Sequence, residues 1–317
     1  PMRRSSTMLV AGAVTALACG VVAAPAGAES APPSRPGTQV PVYAGPLDGT
    51  TSLIADDTSG KAARTARITV TYHGFNATSK AAFQRAVDMW STKISSPVPI
   101  TIDATWAPLG SNILGSAGSK YIWKVGGVWQ GDAIANKKAG RQLNSAPDIV
   151  ARFSSSFTNW HFGTGPAPAG KYDFTSVVAH EIGHGLGFWG VGRVNGALGT
   201  VRYNGANGVY DRYTKLGSST GSPLLWKMPD NSTKLGSALR SNNLYFDSPA
   251  VRNANGGKAA RLYAPGTWRQ GSSYSHLNES TYPKGNPNSL MTYAIGGGET
   301  IRTPGNITMA IFKTIGW

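Results

Sequence analysis

The sequence has a single cysteine, Cys19, in 317 residues. It lies in an apolar stretch near the N-terminus. The rest of the chain can therefore form no disulfide, offer no thiolate to a metal and run no cysteine chemistry. Charged residues are sparse, at 14%, while glycine is abundant, at 40 residues. That balance reads as a loop-rich extracellular fold rather than a helical bundle. Basic residues outnumber acidic ones, giving a net charge of +15, but they are scattered along the chain. Without a basic cluster, nucleic acid is not an expected partner. The charge suits solubility and loose attraction to anionic surfaces such as cell walls. Nucleotide-binding signatures are missing as well: there is no Gly-x-x-x-x-Gly-Lys-Ser/Thr and no Gly-x-Gly-x-x-Gly after a strand.

The one extended apolar run is Met8–Ala24, preceded by Arg3 and Arg4 and followed by Pro25 and Ala26-Gly27-Ala28. It is too short, and too rich in alanine and glycine, for a membrane anchor. It predicts a secretory signal peptide over residues 1–28, cut after Ala28, with a secreted product and no membrane association thereafter. Residues 29–66 are rich in Pro, Ser, Gly and Ala and read as a propeptide or linker, with Arg64 and Arg67 offering processing points. Asp56-Asp57 reads as a solvated acidic turn rather than a cap on a metal. Residues 67–317 are expected to be one domain, without repeats, and hydrophobic residues at 40% suffice for its core.

Arg67–Tyr72 alternates and is β-branched, which predicts a strand. A helix is predicted over Thr78–Ile94, with Phe83, Val87, Trp90 and Ile94 on one buried stripe and Thr78 or Ser79 as the cap. Strands are expected at Pro99–Trp106 and Asp148–Phe153, a second helix over Tyr172–His184, and a terminal helix over Ile307–Trp317. The stretch from Gly190 to Gly271 reads as a mostly irregular insertion with a few short elements.

The strongest signal is His180-Glu181-Ile182-Gly183-His184. Histidines four apart on a helix share one face, a single turn apart, so both imidazoles can reach one cation. Neutral imidazole suits zinc. Glu181, next to His180, can take a proton from the attacking water and pass it to the leaving amine. On the order of one shuffled chain in a thousand would carry this pattern, so it is read as functional. Gly185 is expected to end the helix in a left-handed conformation, and Gly187 to let the chain turn beneath the metal. Two histidines leave a catalytic zinc one protein ligand short. The position where a compact signature would place the third ligand is Gly190, so that ligand must come from further on. His276 is the best candidate and Glu279 its rival. His73 and His161 read as structural, although His161, beside Trp160 and Phe162, could lie near the substrate edge of a cleft.

Ser275-His276-Leu277-Asn278-Glu279, followed by Ser289-Leu290-Met291-Thr292-Tyr293, together with the helix motif, resembles the metzincin clan of zinc peptidases. The leishmanolysin-like members are the most similar, because they split the signature with a long insertion. The resemblance runs from about Arg67 to Trp317, but its specific motifs occupy under about thirty residues. It departs from leishmanolysin in having no disulfides and no matching insertion. It implies His276 as the third zinc ligand and Met291 as the turn methionine under the metal. Met291-Thr292-Tyr293 also looks like the arrangement of astacin-like and serralysin-like metzincins, which implies that Tyr293 stabilises the tetrahedral intermediate.

The expected fold is therefore α+β and metzincin-like. A twisted mixed sheet and the active-site helix (about residues 67–187) would lie above an irregular lower subdomain (about 188–317). The expected function is that of a secreted, monomeric zinc endopeptidase with one catalytic ion, no predicted calcium site, and protein or peptide substrates. Two other classes are open: a secreted binding or adhesion module with a structural zinc, and a zinc hydrolase of a non-peptide amide.

Overall fold

The chain enters its sheets by three short strands, β1 (Ser34–Pro36), β2 (Val40–Ala44) and β3 (Thr51–Ile54). This computed structural model describes residues 32–54 and 63–317; the expected signal peptide, Cys19 and Asp56-Asp57 lie outside them. Next come β4 (Ile68–His73), α1 (Ala77–Lys93), β5 (Ile100–Ala107), β6 (Ile113–Ser119), β7 (Tyr121–Val125), β8 (Val128–Gly131), α2 (Asp132–Ala139), β9 (Ile149–Ser154), β10 (Trp160–His161), β11 (Tyr172–Asp173) and α3 (Phe174–Gly185). The second half holds β12 (Arg193–Asn195), β13 (Leu198–Thr200), β14 (Thr214–Leu216), α4 (Thr233–Leu239), β15 (Leu244–Phe246), α5 (Pro249–Ala254), β16 (Ala260–Arg261), β17 (Ala294–Ile295), β18 (Glu299–Arg302) and α6 (Gly305–Ile315). The architecture is α+β, and no described helix is long and apolar enough to cross a membrane.

The main sheet runs β17-β2-β6-β9-β5-β4. Its strands β4, β5 and β9 are parallel, β6 is antiparallel to β9, β2 is antiparallel to β6, and β17 is parallel to β2. Alternation sets the buried faces: Ile100, Ile102 and Ala104 of β5, and Ile149, Ala151 and Phe153 of β9, are buried. Phe83, Val87 and Trp90 of α1 pack in the same core as Val177 and Val178 of α3. Phe83 meets Tyr72, Phe75 and Phe153 edge to face, a favourable ring arrangement. Trp90 Nε1 donates to the Ala179 carbonyl at 2.9 Å, tying α1 to α3.

Several expectations need correction. The cap of α1 is Asn76, whose side chain accepts from Ser79 N at 2.9 Å; Ser79 is the donor served, not the cap. Helix α3 starts at Phe174, because Tyr172–Asp173 pairs with β10 and Asp173 caps the helix. Gly185 stays helical instead of adopting a left-handed conformation. It is required because a Cβ there would collide with Ile149 of β9. The left-handed turn falls at Gly187, with φ of 116°. Residues 32–54, read as part of a linker or propeptide, contribute three strands and cluster with the rest of the chain through Trp317. The missing periodicity has a physical reason: of these residues only Val40 and Val42 are buried, and the segment is held by main-chain pairing.

Phe83→Ala is expected to destabilise the fold by about 3–5 kcal/mol through the cavity it leaves, read as a lower urea midpoint with an unchanged slope.

Candidate metal centre

Helix α3 is buried along its whole length. Asp173 fixes its start, accepting from Ser176 N at 3.0 Å and Ser176 Oγ at 2.6 Å, and is held in turn by Arg302 at 2.7 Å. One turn apart on this helix, His180 and His184 bring their Nε2 atoms to 2.9 Å. His276, 92 positions further on, places its Nε2 3.1 Å from that of His184. All three side chains are fully buried. Among the described residues this is the cluster able to hold a metal ion.

The other ring nitrogens decide what the cluster can do. His180 Nδ1 lies 2.6 Å from the Leu290 carbonyl, His184 Nδ1 2.7 Å from the Phe188 carbonyl, and His276 Nδ1 2.8 Å from the Ser272 carbonyl. A carbonyl oxygen only accepts, so each Nδ1 carries the proton and donates it. Burial pushes the His180 imidazole down to about 4, and lowers those of His184 and His276 well below the ordinary histidine value, reinforced by the neighbouring histidines. Neutral rings protonated at Nδ1 leave three Nε2 lone pairs facing one another. Such pairs repel and cannot hydrogen-bond among themselves; a cation between them resolves this. A tetrahedral zinc with bonds of about 2.0–2.1 Å spaces its nitrogens about 3.3 Å apart, close to what is seen here. The donor set therefore fits a metal ion.

Local sequence builds each support. Gly187 turns the chain so that Phe188 N reaches Gly183 O at 3.1 Å and the Phe188 carbonyl returns to His184. A 3-10 turn at Ser289–Met291 presents the Leu290 carbonyl. Beneath it, Met291 packs so closely that its Sδ would be 2.7 Å from a Cβ on Gly183. Leu277 N donates to the Met291 carbonyl at 2.8 Å, tying the His276 segment to that turn.

Glu181 is fully buried, and its carboxylate oxygens have no well-aligned hydrogen bond, only the nearby main-chain N–H groups of β2 and β6. Burial raises its pKa well above the ordinary value, against the opposing influence of the Val42 and Ala117 N–H groups that face it. It packs closely under β6 at Gly115; a Cβ there would lie 3.2 Å from Glu181 Cγ and Oε1, a tight approach.

Of the two rivals for third ligand, His276 joins the cluster. Glu279 is pushed up to about 7 by burial and the nearby Glu299, and is hydrogen-bonded by Thr292. His73 pairs with Asp103 at 3.2 Å and His161 bonds the Gly165 carbonyl, both outside the cluster. The Tyr293 ring stacks on Tyr263, centroids 4.3 Å apart. Two residues had no sequence signal. Tyr274, buried and strained at φ of 75°, donates its hydroxyl to Asp211 at 2.7 Å two residues before His276. Asp211 also receives Gly208 N at 2.6 Å and Val191 N at 3.1 Å. Burial pushes its carboxyl up to about 7, against those donors. Gly115, one of two glycines inside β6, was a readable sign of close approach.

Comparison with protein families, curated proteins and solved structures gives no match for this chain.

The chain is expected to bind one divalent cation, and His276→Ala to lose stoichiometric binding. Asp211→Asn should weaken affinity about 10–100-fold by releasing Tyr274, measured by chelator competition. Wild-type affinity in either variant would remove the corresponding assignment.

Proposed function

We propose that the protein is a secreted zinc endopeptidase of metzincin type, with residues 1–28 as its export signal. The observation that carries this reading is the fully buried Glu181, one position after His180 on the helix whose two histidines converge with His276. A purely structural metal site has no use for a base at that position. The packing of Met291 beneath Gly183 supports the resemblance to the split-signature members of that clan.

His180, His184 and His276 would hold the metal, which when bound supplies Lewis acidity toward an amide carbonyl and lowers the pKa of water. Glu181 takes the proton of the attacking water; burial, by raising its proton affinity, favours that transfer. The same carboxyl then delivers the proton to the departing amide nitrogen, so the cleaved bond gains one water overall. Tyr293, half-buried and stacked on Tyr263, would donate its hydroxyl to the carbonyl oxygen under attack. An extended substrate would bind along a sheet edge, pairing by main-chain hydrogen bonds.

Casein hydrolysis tests this, measured on the intact chain and on chain nicked between Ile54 and Thr65, since Val42 faces Glu181 in the intact protein. Hydrolysis is expected to disappear in Glu181→Gln, which keeps its metal, and on chelation. Tyr293→Phe should lower kcat by about 10²–10³ with little change in KM. Full activity of Glu181→Gln would overturn the proposal.

A further inference from the structure

The chain leaving α3, the connection from β1 to β2 and the segment before His276 enclose a cavity of about 140 Å³. It contains none of the three histidines but abuts their supports. Trp189 follows Phe188, whose carbonyl holds His184, and Ser275 precedes His276. A space of about 150 Å³ accommodates one benzene-sized ring, so the cavity suits a single six-membered ring.

Its walls are fixed. Trp129 Nε1 donates to the Tyr203 carbonyl at 2.6 Å, and Tyr203 N to Ala206 O at 2.8 Å. A Cβ on Gly192 would lie 2.6 Å from the Tyr274 ring, and one on Gly271 2.7 Å from Pro41 Cδ, so glycine at both positions lets these segments close in. Trp189, Trp268 and Tyr203 supply aromatic lining and Ile122 aliphatic lining, which suits the flat face of a ring.

The polar lining is one-sided. Gln39 Oε1 accepts from Ser116 Oγ at 3.0 Å, and Gln270 Oε1 from Trp268 Nε1 at 3.1 Å. Ser273 Oγ accepts from Arg269 N at 2.9 Å, and Ser275 Oγ from Gly190 N at 3.2 Å. Both amide NH2 groups and both hydroxyl protons are left to donate, and none meets an acceptor among the described residues. Trp189 Nε1, shielded from solvent, has no partner either. Arg193 at the rim is exposed, lies 5.5 Å over the Tyr203 ring and pairs with no carboxylate among the described residues. No acidic residue is among those that line the cavity.

Such a lining selects its ligand. Phenylalanine and tryptophan side chains offer these donors no acceptor, and tyrosine offers one. A neutral sugar brings a proton with every hydroxyl oxygen. A carboxylate is acceptor-only, takes several donors and matches both Arg193 and the net charge of +15. The donors come from three segments around the cavity, so the ligand needs oxygens spread around its ring as well.

We propose that this cavity binds one hexuronate ring, free or as a unit of an anionic polysaccharide. The ring stacks against the aromatic lining, its carboxylate meets Arg193, and Trp189 Nε1 and the serine hydroxyls donate to its remaining oxygens. Binding there involves no hydrolysis and stands apart from the peptidase reading.

The test titrates the zinc-loaded full chain, in about 150 mM salt to screen non-specific attraction, with D-glucuronate and with tetragalacturonate. Tryptophan fluorescence and calorimetric heat are followed, with glucose, benzoate and polyglutamate as controls. Saturable binding of glucuronate is expected, at least about tenfold tighter than glucose or benzoate. Arg193→Gln should weaken it about 10–100-fold. Trp189→Phe, which keeps a ring but loses the N–H, should weaken it about 2–10-fold, with dichroism unchanged in both variants. Tighter binding of tetragalacturonate would identify the polymer as the source, and equal binding the free sugar; either supports the site. Glucose or benzoate binding as tightly as glucuronate, displacement by polyglutamate, or wild-type affinity in both variants would overturn it. In the wild-type chain, bound glucuronate should also protect the half-buried Trp268 from oxidation, read by peptide mass. Absence of that protection at saturating glucuronate overturns the assignment whether or not the variants fold.

Discussion

Three hydrogen bonds, from the Nδ1 of each histidine to a main-chain carbonyl, hold the centre in a form able to bind a metal ion. They set the tautomer, the ring plane and the direction of every Nε2 lone pair. Each acceptor belongs to a different piece of chain: the turn after α3, the 3-10 turn at Ser289–Met291, and the segment before His276. Much of the surrounding architecture serves to bring those carbonyls to fixed positions. Helix α3 is capped by Asp173 and braced by Arg302 at one end, and at the other it is turned back by Gly187. Imidazole orientation in this protein is thus a property of backbone geometry, which is less tolerant of drift than a contact between two mobile side chains.

Depth is controlled by side chains that are missing. Gly183 leaves room for Met291 below the histidines, and Gly115 leaves room for Glu181 under β6. The carboxylate is thereby removed from water, which raises its proton affinity. The region from Gly190 to Gly271, for all its loops, supplies Asp211, and through Tyr274 this residue fixes the approach of the His276 segment.

The parts legible in the sequence were those whose physics is local. The alternation of Ile100, Ile102 and Ala104, the stripe of Phe83, Val87 and Trp90, and the helical pair His180 and His184 each announce themselves within a few residues. His276 was reachable through motif resemblance, and it is the histidine that joins the pair. What stayed hidden depends on distant partners. Strand β2 alternates only over Val40–Val42, too short a stretch to stand out inside a Pro-, Ser- and Gly-rich segment. Asp211 and Tyr274 are 63 positions apart, with nothing in either neighbourhood to connect them. Gly185 was misjudged because glycine after a histidine pair serves equally as a helix stop or as a close contact, and only the position of Ile149 distinguishes the two.

The separation of His184 and His276 by 92 positions has a consequence for a chain whose sole cysteine is Cys19. A cation shared by those rings cross-links the helix to the second half of the molecule, closing a loop of a length at which a covalent bridge would remove about 4–5 kcal/mol of unfolded-chain entropy. In a chain with a single cysteine, which can form no internal disulfide, a metal would thus take over the stapling task that disulfides perform elsewhere. Robustness would then depend on the supply of the ion rather than on the redox state of the surroundings.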